Sequence, residues 1–137
     1  MTTNLESLGQ AIKQAQYRNH RTMDAALREV GVSLVQWDAL RAIDRMPSAS
    51  GHDLAAVTFQ SDQAFGTLAN RLVDRGLISR TAGRGRRIEH ALTDSGRDAL
   101  SGGHRVAANV LEDLFAPLDE EERAALEGVL RRLVQEP

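Results

Sequence analysis

The chain has 137 residues, 17 Lys and Arg against 19 Asp and Glu, and a formal net charge of −2. That length suits one domain, and 42% hydrophobic residues are enough for a buried core rather than wholesale disorder. The lack of cysteine excludes a disulfide framework, a thiol catalyst, a cysteine redox sensor and a Cys-based zinc site. No apolar run approaches the roughly 18 residues of a membrane span, and the polar opening MTTNLES does not read as a signal peptide. A cytoplasmic protein with no membrane partner is therefore expected.

From Leu5 to Val30, apolar residues recur at positions 5, 8, 12, 15, 23, 26, 27 and 30, a helical period. Tyr17 and His20 interrupt the aliphatic stripe, and Gly31 stops the helix. Ser33 with Gln36 predicts a capping box opening a second helix, with Trp37, Leu40 and Ile43 inward. After the Pro47–Gly51 turn, Ser50 with Asp53 starts a short helix through Val57. Ser61 caps a fourth helix to Arg75, with Phe65, Leu68 and Leu72 on its apolar face, Ala64 and Ala69 beside them, and Gly76 as left-handed terminator.

Leu77–Thr81 and Ile88–Leu92 then read as two strands around the link Ala82-Gly83-Arg84-Gly85-Arg86-Arg87, a hairpin with a basic tip. Thr93 caps a long helix containing Leu100, Val106, Val110, Leu111, Leu114 and Phe115. Gly102-Gly103 is a weak point at which it would kink or start late. Pro117 ends it, and Asp119 with Glu122 caps a last helix whose side carries Leu126, Val129, Leu130, Leu133 and Val134.

The small net charge conceals an asymmetry. Residues 80–90 hold Arg80, Arg84, Arg86 and Arg87 against Glu89 alone, whereas residues 107–137 hold three Arg against eight acids. A short helix, a tight turn, a second helix and a hairpin with a basic loop make a winged helix-turn-helix. In that arrangement a helix N-terminus faces phosphates and base edges in a major groove, and guanidinium groups on the hairpin reach an adjacent minor groove. The fold class expected is mainly α with a small β-hairpin wing. Residues 32–93 would form the DNA-binding lobe, and residues 1–31 and 94–137 a helical dimerisation region.

The stretch GVSLVQWDALRAI, LAAVTFQSDQAFGTLANRLVDRGLISR, GRGRR and LTDSGRDAL, in that order over residues 31–100, resembles the MarR family of bacterial transcription regulators. NRLVDRGLI and LTDSGR are its strongest pieces. The long flanking helices are similar to the family's dimerisation elements. Three departures stand out. Phe59 and Gln60 occupy the helix-turn-helix turn where the family has Gly and an aliphatic residue. Asp62 sits where a basic or small residue is common. The wing is about two residues shorter and lacks the Asp before its Arg.

On the recognition helix, Ser61, Asp62, Gln63, Gly66, Thr67, Asn70 and Arg71 are the candidate DNA contacts. Gln63 suits adenine and Asp62 cytosine, although Asp62 equally suits a helix N-terminus electrostatically. Thr67 suits a thymine methyl or a phosphate, and Arg71 a phosphate. Arg75 suits a pairing with Asp74 or a neighbouring helix as well as it suits a phosphate. On the wing the candidates are Arg84, Arg86 and Arg87. The resemblance also implies a pocket for a small aromatic or anionic effector, with Tyr17, His20, Met23, Trp37 and Arg41 as lining candidates. Ordinary interhelical core around Trp37 is the other reading, and Arg41 equally suits a salt bridge to Asp38 or Asp44.

The expectation is a homodimeric, sequence-specific repressor on double-stranded DNA, with a pseudo-palindromic operator. A regulator without a ligand and a winged-helix module for protein contacts are the alternatives. Histidines 20, 52, 90 and 104 have no metal-ligand spacing. No residue pattern suggests a cofactor or an enzyme.

Overall fold

The computed structural model describes residues 2–85 and 87–135. Six helices and one hairpin follow in the order α1 (Leu5–Leu27), α2 (Leu34–Arg45), α3 (Gly51–Val57), α4 (Asp62–Asp74), β1 (Ile78–Ala82), β2 (Ile88–Leu92), α5 (Asp94–Leu114) and α6 (Glu120–Val134), with a 3-10 turn at Arg28–Val30 after α1. The strands pair antiparallel, Ile78 opposite Leu92 and Ala82 opposite Ile88, so β1 runs one residue later than the sequence pattern suggests.

Local side-chain chemistry sets most helix starts. Ser33, Ser50 and Asp119 form capping boxes with Gln36, Asp53 and Glu122, while Ser61 and Thr93 accept the N–H groups of Ala64 and Gly96. Each satisfies donors that the first helical turn otherwise leaves unpaired. The α1–α2 joint is held by Asp24, whose carboxylate accepts the Leu34 N–H at 2.8 Å.

One core runs through the molecule. Leu27, Leu40, Ile43, Leu54, Phe65 and Leu72 are its largest fully enclosed side chains, joined by Met23, Trp37, Ile78 and Leu100. On α4, Phe65, Leu68, Ala69 and Leu72 face this core, whereas Ala64 is exposed, which corrects its placement beside the apolar face.

The two motif-like segments have physical roles at the joint between α4, the hairpin and α5. Gly76, at φ +72°, turns the chain out of α4. Thr93 donates its hydroxyl to the Gly76 carbonyl (2.6 Å) and its N–H to the Leu77 carbonyl (3.1 Å). A Cβ on Gly96 would come within 2.0 Å of the Leu77 oxygen, so α5 begins in direct contact with backbone. Arg97 closes the segment by pairing with Asp94 and donating to the Leu92 carbonyl.

The Gly102-Gly103 pair is not a break. Helix α5 is continuous from Asp94 to Leu114. A Cβ on Gly103 would lie 2.0 Å from Trp37 Nε1, and one on Gly102 would lie 2.7 Å from Val30 Cγ1. The weak helix propensity of glycine is offset by the close packing against the Arg28–Val30 turn and α2 that its missing side chain permits.

Candidate nucleic-acid interface and ligand cavity

Because the 65, 68, 69 and 72 positions of α4 are buried, the helix turns Asp62, Gln63, Thr67, Asn70 and Arg71 outward, and all five are exposed. Ser61 is exposed at the N-cap, and Gly66 is half-buried with open space where a Cβ would lie. Thr67 donates its hydroxyl to the Gln63 carbonyl one turn earlier (3.1 Å). The C-terminal end of α4 is anchored differently. Arg75 donates to Gln36 Oε1 at 3.0 Å and to the Gly31 carbonyl, so it grips the α1–α2 joint and not Asp74.

The wing is tied to this helix by Arg80, which donates to the Asn70 side chain across from β1. Arg87 lies 3.9 Å from Asp53 on α3, and its backbone carbonyl accepts the Gly83 N–H at 2.7 Å, closing the hairpin loop. Arg84 is exposed in that loop beside Gly85, which has φ +68°. Arg86 lies outside the described residues. Ser50's N–H and hydroxyl hold the Asp53 carboxylate below the ordinary range, so it stays charged opposite Arg87.

Asp62 is not bare. His52 Nδ1, on α3, lies 2.9 Å from its carboxylate. That hydrogen bond, and then the carboxylate's charge, hold the His52 pKa above the ordinary histidine value. His90, inward on β2, is the reverse case. It is buried edge-on against Phe65 at 5.9 Å, and burial followed by the nearby Arg80 charge pushes its pKa down. Neither His52 nor Arg80 stands out in the sequence as part of this surface. Each reaches a partner ten residues away on a different element, a contact that no helical or strand spacing encodes.

A separate cavity of about 710 Å³ opens between α1, α2, α5 and the α3–α4 turn. His20, Met23, Trp37 and Arg41 line it together. Tyr17 does not; it is 60% exposed, with the Arg21 guanidinium 5.7 Å from its ring, in another shallow hollow. This corrects its assignment to the pocket. The α1 stripe rotates Tyr17 away from the face that carries His20 and Met23. Trp37 is 4% exposed and donates its indole N–H to the Leu100 carbonyl at 3.2 Å. Its ring meets Arg41 at 4.7 Å and the edge of His104 at 5.2 Å.

Arg41 also sits 3.6 Å from Asp38, while its Nε is buried without a hydrogen-bond partner. Asp38 is pushed upward in pKa by burial, against the lowering charges of Arg41 and His20. Arg41, with a guanidinium N–H that has no partner, suits a small anion with an apolar body.

The sequence pattern that defines the MarR family matches residues 30–88. An HTH-type transcriptional repressor of Mycobacterium tuberculosis, Rv2887, is 32% identical over 111 residues, covering 77% of this chain and 80% of the relative. The chain belongs to the MarR family.

Solved MarR-type structures share its fold over nearly the whole length. A probable transcriptional regulator from Pseudomonas aeruginosa is 28% identical with a TM-score of 0.84, covering 96% of this chain and all of the other. A mutant of MarR from E. coli, solved with operator DNA, has a TM-score of 0.87 at 21% identity, covering 94% of each chain. Rv2887 itself has been solved in complex with salicylic acid, with a TM-score of 0.76 at 25% identity and coverage of 92% of this chain and 95% of that one. Within this MarR fold, NRLVDRGLI is the segment that carries the Arg80 contact at Asn70, the Arg75 grip and the Gly76 turn.

Proposed function

We propose that this MarR protein is a homodimeric repressor that acts in the cytoplasm on double-stranded DNA and is released by a small aromatic carboxylate. One observation carries the DNA reading. The exposed face of α4, from Ser61 to Arg71, and Arg84 and Arg87 of the wing belong to one joined surface, linked by the Arg80–Asn70 hydrogen bond. Gln63, Asp62 and Thr67 offer base-edge chemistry, and Arg71, Arg84, Arg86 and Arg87 offer phosphate chemistry. The M. tuberculosis relative, a transcriptional repressor, and the operator complex of the E. coli protein support it.

The cavity supports the second half. Its volume lies within the roughly 300–1,000 Å³ of small-molecule sites, and the relative Rv2887 has been solved in complex with salicylic acid. Arg41 and His20 would meet the carboxylate, at a wall that Met23 and Trp37 make apolar.

The deciding experiment is selection of bound sequences from random duplexes, with and without salicylate. A pseudo-palindromic site, weakened by salicylate, is expected. In the Arg84→Ala/Arg86→Ala variant, affinity should fall, and the slope of log affinity against log salt should flatten by about 0.9 for each phosphate that is no longer neutralised. An unchanged salt slope would remove the wing from the interface. Recovery of no specific duplex would favour a protein-contact module.

A further inference from the structure

The α3–α4 turn contains a residue that the fold itself does not need. Helix α3 closes with the Phe59 N–H on the Ala56 carbonyl (3.2 Å) and the Gln60 N–H on the Ala55 carbonyl (2.9 Å), one position past its C-cap Thr58. This closure calls for a left-handed residue at position 59, which glycine supplies without strain. Here it is Phe59, at φ +59°, the one non-glycine residue at positive φ among the described residues. Its ring is also 96% exposed, more than any other large apolar side chain described. Backbone strain and an unburied phenyl ring at the same position direct attention to what the ring faces.

Thr58, Phe59 and Gln60 form the helix-turn-helix lip of the cavity. On the other side of Asp38 and Arg41 a second hollow of about 320 Å³ is also lined by Phe59, so the ring stands at a rim shared by both. Across the larger cavity, the Trp37 ring is already engaged by Arg41 and His104. Arg41 keeps a buried N–H without a partner. The open chemistry at this lip of the cavity is therefore a cationic donor on α2 and, on the turn that leads into α4, the exposed aromatic side chain of Phe59; Phe115 also lines the cavity.

We infer that Phe59 is the aromatic contact through which the helix-turn-helix holds a planar aromatic carboxylate, with the ring against Phe59 and the carboxylate on Arg41. The inference rests on the cavity being the effector site. Such a ligand spans two parts of the molecule, the α1–α2–α5 wall and the turn that positions α4. It therefore favours whichever placement of α4 brings Phe59 over the cavity, and shifts the DNA-binding equilibrium by that difference in affinity.

Calorimetric titration of the full chain with salicylate, beside thermal melts, tests this. The wild type should bind. Phe59→Gly should bind about threefold to tenfold more weakly, as expected for removal of an aromatic pair, while its melting temperature stays equal or rises because the left-handed strain is gone. Phe59→Tyr should restore binding, and Arg41→Gln should weaken it in either background. If the wild type and Phe59→Gly bind salicylate equally, Phe59 has no part in a site that otherwise stands. If the wild type binds neither salicylate nor benzoate up to their solubility limits, the effector reading of the cavity falls, and this inference with it.

Discussion

At the scale of single residues, the pairing of His52 with Asp62 sets a sign for pH dependence. The carboxylate stands at the N-terminal end of α4, where DNA phosphates would come, and protonated His52 neutralises it. Because the folded His52 pKa is raised above its ordinary 6.5, the pairing is complete below about pH 6.5 and is lost as pH rises through the raised value. Asp53, with its pKa held down, stays ionised, and His90, with its pKa pushed down by burial, stays neutral near pH 7, so neither cancels this titration. Operator affinity, followed by fluorescence anisotropy at constant ionic strength, should weaken as pH rises above the ordinary histidine value of 6.5. His52→Gln should bind at every pH like the wild type at the alkaline end, and Asp62→Asn should bind with a flat profile. A pH slope that survives in both variants would place its origin elsewhere. Helix caps such as Ser33, Ser50, Ser61, Thr93 and Asp119 were legible in the sequence because a cap and its partner lie three residues apart. The His52–Asp62 and Arg80–Asn70 contacts were not, since only the folded chain brings their elements together.

At the scale of elements, two glycines on different helices should respond to the same substitution in opposite ways. Gly103→Ala on α5 drives a methyl group into the Trp37 indole, and overpacking of this kind costs about 1–3 kcal/mol. Gly66→Ala on α4 meets nothing within 4 Å, and the helix gains up to about 1 kcal/mol. Urea unfolding should therefore show a lower midpoint for the first variant and a higher one for the second. The Gly66 variant should nevertheless lose operator affinity if its face lies against DNA; a more stable protein with undiminished affinity would take Gly66 out of the interface. The existence and order of the elements could be read from periodicity, turns and caps. The continuity of α5 could not, because propensity weighs Gly102 and Gly103 as breakers, and only the Val30 and Trp37 side chains reveal them as packing sites.

At the scale of the whole molecule, the terminal helices look outward. No described residue of α6 is buried, and Leu126, Val129, Leu130, Leu133 and Val134 are exposed together with Leu5, Leu8 and Ile12 on α1. A second copy of the chain is the cover proposed for this surface. Leu130→Asp should convert the dimer to monomer in sedimentation velocity and remove most operator affinity, since two half-sites would no longer be joined. A monomeric wild type at micromolar concentration would overturn that architecture. Arg75 then acquires a mechanical meaning. Its grip on Gly31 and Gln36 fixes the C-terminal end of α4 to the base of the first two helices. The N-terminal end lies about 20 Å away, at about 1.5 Å per residue over the 13 residues of α4. A tilt of about 10° around that pinned end sweeps Ser61 through roughly 3 Å, about the length of a hydrogen bond. The helix is thus a lever with its fulcrum at Arg75, and small rotations at the base become, at the tip, the difference between touching a base edge and missing it.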